Sequence, residues 1–85
     1  MNAIQVQIGN LPLVLQCFSN GLVSILRMAD FKTIIDQDEN KTTAMFDNSG
    51  FKIGEESYNY GEAIEYKHNT EVLTWLQKQG LTSPF

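Results

Sequence analysis

Residues 11–29, LPLVLQCFSNGLVSILRMA, decide how the chain is read. Leu11, Val14, Leu15, Phe18, Leu22, Ile25, Leu26 and Ala29 fall at i, i+3, i+4, i+7 spacing, with Gln16, Ser19, Asn20, Ser24 and Arg27 on the opposite side. That is the stripe of an amphipathic helix of about five turns. Asn10 ahead of it suits an N-cap, and Pro12 suits the first turn, where a missing amide costs nothing. The rival is a hairpin of residues 13–18 and 22–27 about Ser19-Asn20-Gly21, because an Asn-Gly pair is a strong two-strand turn signal. Residues 22–27 do not alternate, whereas the helical stripe is continuous, so the pattern favours a helix with a kink at Gly21. If the hairpin is right, the class becomes mostly β with one helix and the list of core residues changes little.

Upstream, Ile4, Val6 and Ile8 alternate with Gln5 and Gln7, the period-2 signature of a strand with one buried face. Downstream, residues 31–36, 41–46 and 51–53 are short runs of strand-forming residues. They are separated by Gln37-Asp38-Glu39-Asn40 and Asp47-Asn48-Ser49-Gly50, both rich in turn formers. They predict an antiparallel meander of three or four strands that the leading strand joins. Residues 57–61 suggest an irregular aromatic loop, and 62–67 a helical turn or a last strand. Asn69 or Thr70 begins a C-terminal helix with Val72, Leu73, Trp75 and Leu76 as its buried stripe, Glu71 and Lys78 matching its dipole and Gly80 stopping it. The expectation is a small α+β domain spanning residues 1–85, with residues 81–85 as a flexible tail. An antiparallel sheet is packed by an N-terminal amphipathic helix and a capped C-terminal one.

The first 26 residues hold no Asp, Glu, Lys, Arg or His, and all ten carboxylates fall between Asp30 and Glu71. The leading third therefore reads as interior and the middle as surface. Net charge is −4, and from 30 to 71 ten acids stand against four lysines, −6 locally. Such a surface repels phosphate backbones, which argues against direct nucleic-acid binding and allows a basic protein partner. The lone Cys17 rules out an internal disulfide framework and suits a reducing cytoplasmic setting. No Lys or Arg precedes Arg27, and polar residues interrupt the apolar run, so neither a signal peptide nor a membrane span is expected.

Catalytic and metal sets are not legible. Asp36-x-Asp38-x-Asn40 with Asp47 echoes a calcium loop, but Lys41 stands where the sharp turn needs glycine. Cys17 and His68 are the sole thiol and imidazole, and Cys17 lacks the cationic neighbours that activate a nucleophile. Two such ligands are too few for zinc. The carboxylate pairs Glu55-Glu56 and Glu62…Glu65 lie among Gly, Ser and Asn and look solvated, whereas acid–base work needs one carboxyl buried. The glycines at 50, 54 and 61 lack the Lys-Ser/Thr of a phosphate loop. No catalytic residue, cofactor or metal is expected, and the chain reads as a non-enzyme.

What remains is residues 55–66, EESYNYGEAIEY, with four acids and three tyrosines in twelve positions. Tyrosine is a rigid amphipathic contact, and carboxylates around it steer basic partners and accept arginine forks. The plainer alternative is that the tyrosine rings cover the core and the acids solvate a loop. The expected function is a small acidic inhibitor or adaptor whose Glu55, Glu56, Tyr58, Tyr60, Glu62, Glu65 and Tyr66 dock on a basic surface of a partner protein. That surface could be a groove that otherwise holds nucleic acid, as with virus-encoded inhibitors. The alternative is a homo-oligomeric ligand-binding or sensor domain. It would associate through the apolar face of residues 11–29, from Leu11 to Ala29, and the tyrosines would line a small-molecule pocket.

Overall fold

The computed structural model describes residues 2–18, 20–39 and 41–80, so the expected tail at 81–85 lies outside the described residues. The chain forms β1 (Asn2–Ile8), β2 (Leu11–Cys17), β3 (Leu22–Arg27), β4 (Ile34–Gln37), β5 (Thr43–Phe46), β6 (Phe51–Ile53), β7 (Glu56–Tyr58), β8 (Ile64–Glu65) and α1 (Thr70–Lys78). One antiparallel sheet has the order β1-β2-β3-β8 and the other β4-β5-β6-β7.

The fold is therefore mostly β, and the expected N-terminal helix does not form. Leu11–Cys17 and Leu22–Arg27 are instead two strands of a hairpin, paired Leu13↔Arg27 through Cys17↔Val23. Gly21, at φ +85°, donates its amide to the Phe18 carbonyl at 3.2 Å and turns the chain in a conformation a side chain resists. Asn10 is no helix cap either. Gly9 and Asn10 form the two-residue loop between Ile8 and Leu11, and Gly9 takes φ +59° at the first loop position, as a type II′ turn requires. Pro12 is tolerated in β2 because its amide side faces Met28, just past the end of β3.

The apparent helical stripe dissolves into two faces. Leu11, Leu13, Leu15 and Cys17 are buried, while Pro12, Val14 and Gln16 between them are half-buried. The continuous apolar face that could have joined two copies through residues 11–29 is thus divided, and its leucines at 11, 13 and 15 lie inside a single chain. Nor does β1 join the meander. Among the described residues it pairs only with β2, and the meander closes as a separate sheet whose fourth strand, β7, comes from the stretch expected as a loop.

Both sheets and α1 share one core. The first contributes Leu11, Leu13, Leu15, Val23, Ile25 and Ile64, the second Ala44, Phe46, Phe51 and Ile53, and the helix Val72, Trp75 and Leu76. The helix begins at its Asn69 cap, which accepts from the Val72 amide at 3.2 Å, with Glu71 in its first turn and Lys78 in its last. Trp75 lies 5.4 Å from the Phe46 ring. Its indole donates to Asp36 on β4 at 3.1 Å, and Lys78 holds the other carboxylate oxygen at 2.7 Å. Among the described residues no helix is long and apolar enough to cross a membrane.

Candidate functional site

The aromatic segment is anchored from below. Phe51 on β6 is flanked by Phe46 at 5.6 Å, Tyr58 at 5.5 Å and Tyr60 at 5.3 Å between ring centroids. The Phe51↔Tyr58 pairing places Tyr58 beside Phe51 on the inner side of the sheet, and Tyr58 is half-buried there. Two hydroxyl contacts then tie the segment to its neighbours. The Tyr58 oxygen accepts from the Asn69 side-chain amide at 3.1 Å, which links β7 to the start of α1. The Tyr60 hydroxyl donates to the Asp47 carbonyl at 2.7 Å, which links the following loop to the turn at 47–50. The carboxylate of Asp47 accepts from the Ser49 hydroxyl (2.7 Å), the Ser49 amide (2.8 Å) and the Gly50 amide (2.9 Å). These bonds to its charged form hold that carboxyl below its ordinary range.

The charges of carboxylates on three elements act on Tyr58. Burial pushes its phenol up, the Asn69 bond opposes this, and Glu56, Glu71 and Glu62 each push it further up. Glu56 lies on β7, Glu62 in the loop before β8 and Glu71 in the first turn of α1, all exposed. The Glu71 carboxylate sits over Gly54 in the β6–β7 turn, beside exposed Glu55. Glu71 was not among the residues read as a site from sequence. Its charge acts on Tyr58 because Asn69 caps the helix and bonds the tyrosine at once, and no local pattern announces that arrangement.

The other expected members lie elsewhere. Glu65 is on β8, in the first sheet, 3.7 Å from His68. Tyr66 is only 1% exposed and belongs to the core; burial raises its phenol and the neighbouring Cys17 adds to this. Asp36, first of the would-be calcium ligands, is occupied by Trp75 and Lys78, and Asp38 accepts from the Thr42 amide at 2.7 Å. Asn40 lies outside the described residues. Among the described residues no group of three or more His, Cys, Asp or Glu is placed to hold a metal ion. Cys17 is buried, and burial raises its thiol, the reverse of nucleophilic activation.

Beside Tyr58 an open depression of about 240 Å³ runs over the outer face of the second sheet, between Met45, Lys52, Ser57, Asp47 and Asn59. Met45 is paired with Ile35, and these are 38% and 67% exposed, a small apolar strip on the outer face of β4 and β5. The depression is smaller than the roughly 300–1,000 Å³ typical of small-molecule pockets.

The chain matches no protein-family model, and no curated protein or solved structure matches it.

Tyr60 gives a direct check of this packing. Burial, then the nearby Asp47 charge, push its phenol up to about 12 from an ordinary 10.0, with Arg27 acting weakly the other way. The folded state therefore holds this proton more tightly than the unfolded chain. The stability so linked is present in full below pH 10 and is lost as the pH rises through about 12. In an ultraviolet phenolate titration Tyr60 is expected to ionise last or with unfolding. A Tyr60→Phe variant that leaves the alkaline end of the curve unchanged would refute the assignment.

Proposed function

We propose that this protein is a non-catalytic binding module that docks on a basic surface of a partner protein, acting as an inhibitor or adaptor. One observation carries the reading: a tyrosine whose ring stacks on Phe51 and whose hydroxyl accepts from Asn69 feels the charges of Glu56, Glu71 and Glu62, exposed on three separate elements. A preordered aromatic ring with carboxylates about it loses little entropy on binding and offers acceptors to arginine forks. Met45, 38% exposed and lining the depression beside Tyr58, supplies the apolar part that protein interfaces combine with a polar rim. The partner's matching chemistry is a cluster of Arg and Lys around an apolar patch, as in a groove that otherwise holds nucleic acid.

The test is affinity capture with the intact chain against a variant carrying Glu55→Lys, Glu56→Lys, Glu62→Lys and Glu71→Gln. The wild type is expected to retain basic proteins that elute with salt, and the variant to lose them. Steering by rim charges acts mainly on association and weakens with ionic strength. A Glu65→Lys variant is expected to keep the same partners, because that residue sits on the other sheet. Equal capture by the four-site variant, with its circular dichroism unchanged, would remove the proposal.

A further inference from the structure

Each sheet ends in two edge strands, and three of the four edges are blunted. β8 has only two residues, β7 has three including Glu56, and β4 has four, with its Asp36 held by α1. Shortness and charge are the usual protections against stray pairing. β1 has neither. Its seven residues carry no charge and no proline and pair one for one with β2, without a bulge. Among the described residues no strand lies on its far side.

The direction of its backbone groups follows from the next strand. The Pro12 carbonyl accepts from the Met28 amide at 3.1 Å, and the Phe18 amide donates to the Leu22 carbonyl at 2.8 Å. Even-numbered residues of β2 therefore bond toward β3. Its odd-numbered residues Leu11, Leu13 and Leu15 bond toward their partners Ile8, Val6 and Ile4. That leaves the amides and carbonyls of Ala3, Gln5 and Gln7 aimed outward, with exposed side chains. On the inner face Ile4 and Val6 stay half-buried, although their partners Leu15 and Leu13 are fully enclosed.

We propose that β1 pairs antiparallel with β1 of a second copy of this chain, joining two four-stranded sheets into one of eight. With the two-fold axis through Gln5, Ile4 of each copy lies opposite Val6 of the other and Ala3 lies opposite Gln7. Apolar then meets apolar on one face and neutral polar meets small on the other. The strand's own uncharged, self-matching pattern selects this occupant. The carboxylates behind the net charge of −4 begin at Asp30, and none is on β1. Pairing of two β1 strands therefore sets no like charges opposite each other, and the −4 carried by each copy acts only from the later residues, where salt screens it. The pairing uses none of the residues of the partner-binding surface, so either idea can fail alone.

Sedimentation of the full chain over a wide concentration series is expected to approach twice the 9.6 kDa monomer mass. Gln5→Pro deletes an outward amide while sparing the bonds to β2, and Gln5→Lys sets two like charges against each other on the axis. Both are expected to sediment as monomers, with Trp75 fluorescence confirming that they are folded. Hydrogen exchange is expected to find the Ala3, Gln5 and Gln7 amides protected in the wild type and unprotected in Gln5→Lys. A wild type that stays monomeric at every concentration overturns the proposal. So does a dimer that survives both substitutions, which places the interface elsewhere. Protection of these amides only on addition of a foreign peptide would assign the edge to that peptide and equally overturn it.

Discussion

Replacing Asp36 with alanine is expected to lower the unfolding free energy by about 2–4 kcal/mol, read from urea melts followed by Trp75 fluorescence. The carboxylate is 17% exposed and bonds at once the indole of a fully buried Trp75 and the ammonium of Lys78. Its removal strands the indole N–H in an apolar setting and leaves the last turn of α1 with an unpaired cation. For a chain of this length the whole stability is about 4–13 kcal/mol, so the loss is a large share of it. The melting temperature is expected to fall by roughly 10 °C or more. Asp36→Asn keeps an acceptor for the indole and is expected to cost about half as much, with Lys78 alone released. If both variants melted like the wild type, the helix would not be tied to β4 through this residue.

The second large effect is expected at Gly50. A Cβ built there falls 2.6 Å from the Tyr58 carbonyl oxygen, a backbone atom that cannot swing aside. Gly50→Ala must therefore push β7 away from the turn at 47–50, at a cost of about 1–3 kcal/mol. The strain lands on the candidate surface, because that turn receives the Tyr60 hydroxyl at the Asp47 carbonyl. Two readings are expected to move together: a lower denaturant midpoint, and a Tyr60 phenol that titrates closer to the ordinary 10.0. A midpoint shift with the titration unchanged would mean that the alanine is absorbed locally, without disturbing the tyrosines.

How far the sequence could be read depends on which interactions are local. β1, the meander and α1 with its Asn69 cap were legible, because alternation, turn residues and helix caps act within a few positions. Residues 11–29 were misread because half-buried Val14, Leu22 and Leu26 put apolar residues on both sides of their strands, which fills the gaps of a period-2 pattern and imitates a helical one. The turn chemistry of Asn20-Gly21 held the better information and was outweighed, and Gly9-Asn10, a turn, reads instead as the approach to a helix cap. At the candidate surface, Glu55, Glu56, Tyr58, Tyr60 and Glu62 lie within one contiguous segment, which is why sequence could single them out together. Glu71 and the inward turn of Tyr66 depend on where α1 and β8 dock, and that is long-range packing.

The pairing of β8 with β3, Val23 against Ile64, has a kinetic side. The three N-terminal strands and the later meander can each zip through neighbouring turns, quickly and independently. Sealing the first sheet must wait until a residue some forty positions further along has been made and brought back. Such distant closure raises contact order and slows folding. During synthesis, the aliphatic face of the early hairpins therefore stays open until the last quarter of the chain arrives, and this interval is when the newborn protein is most prone to clump.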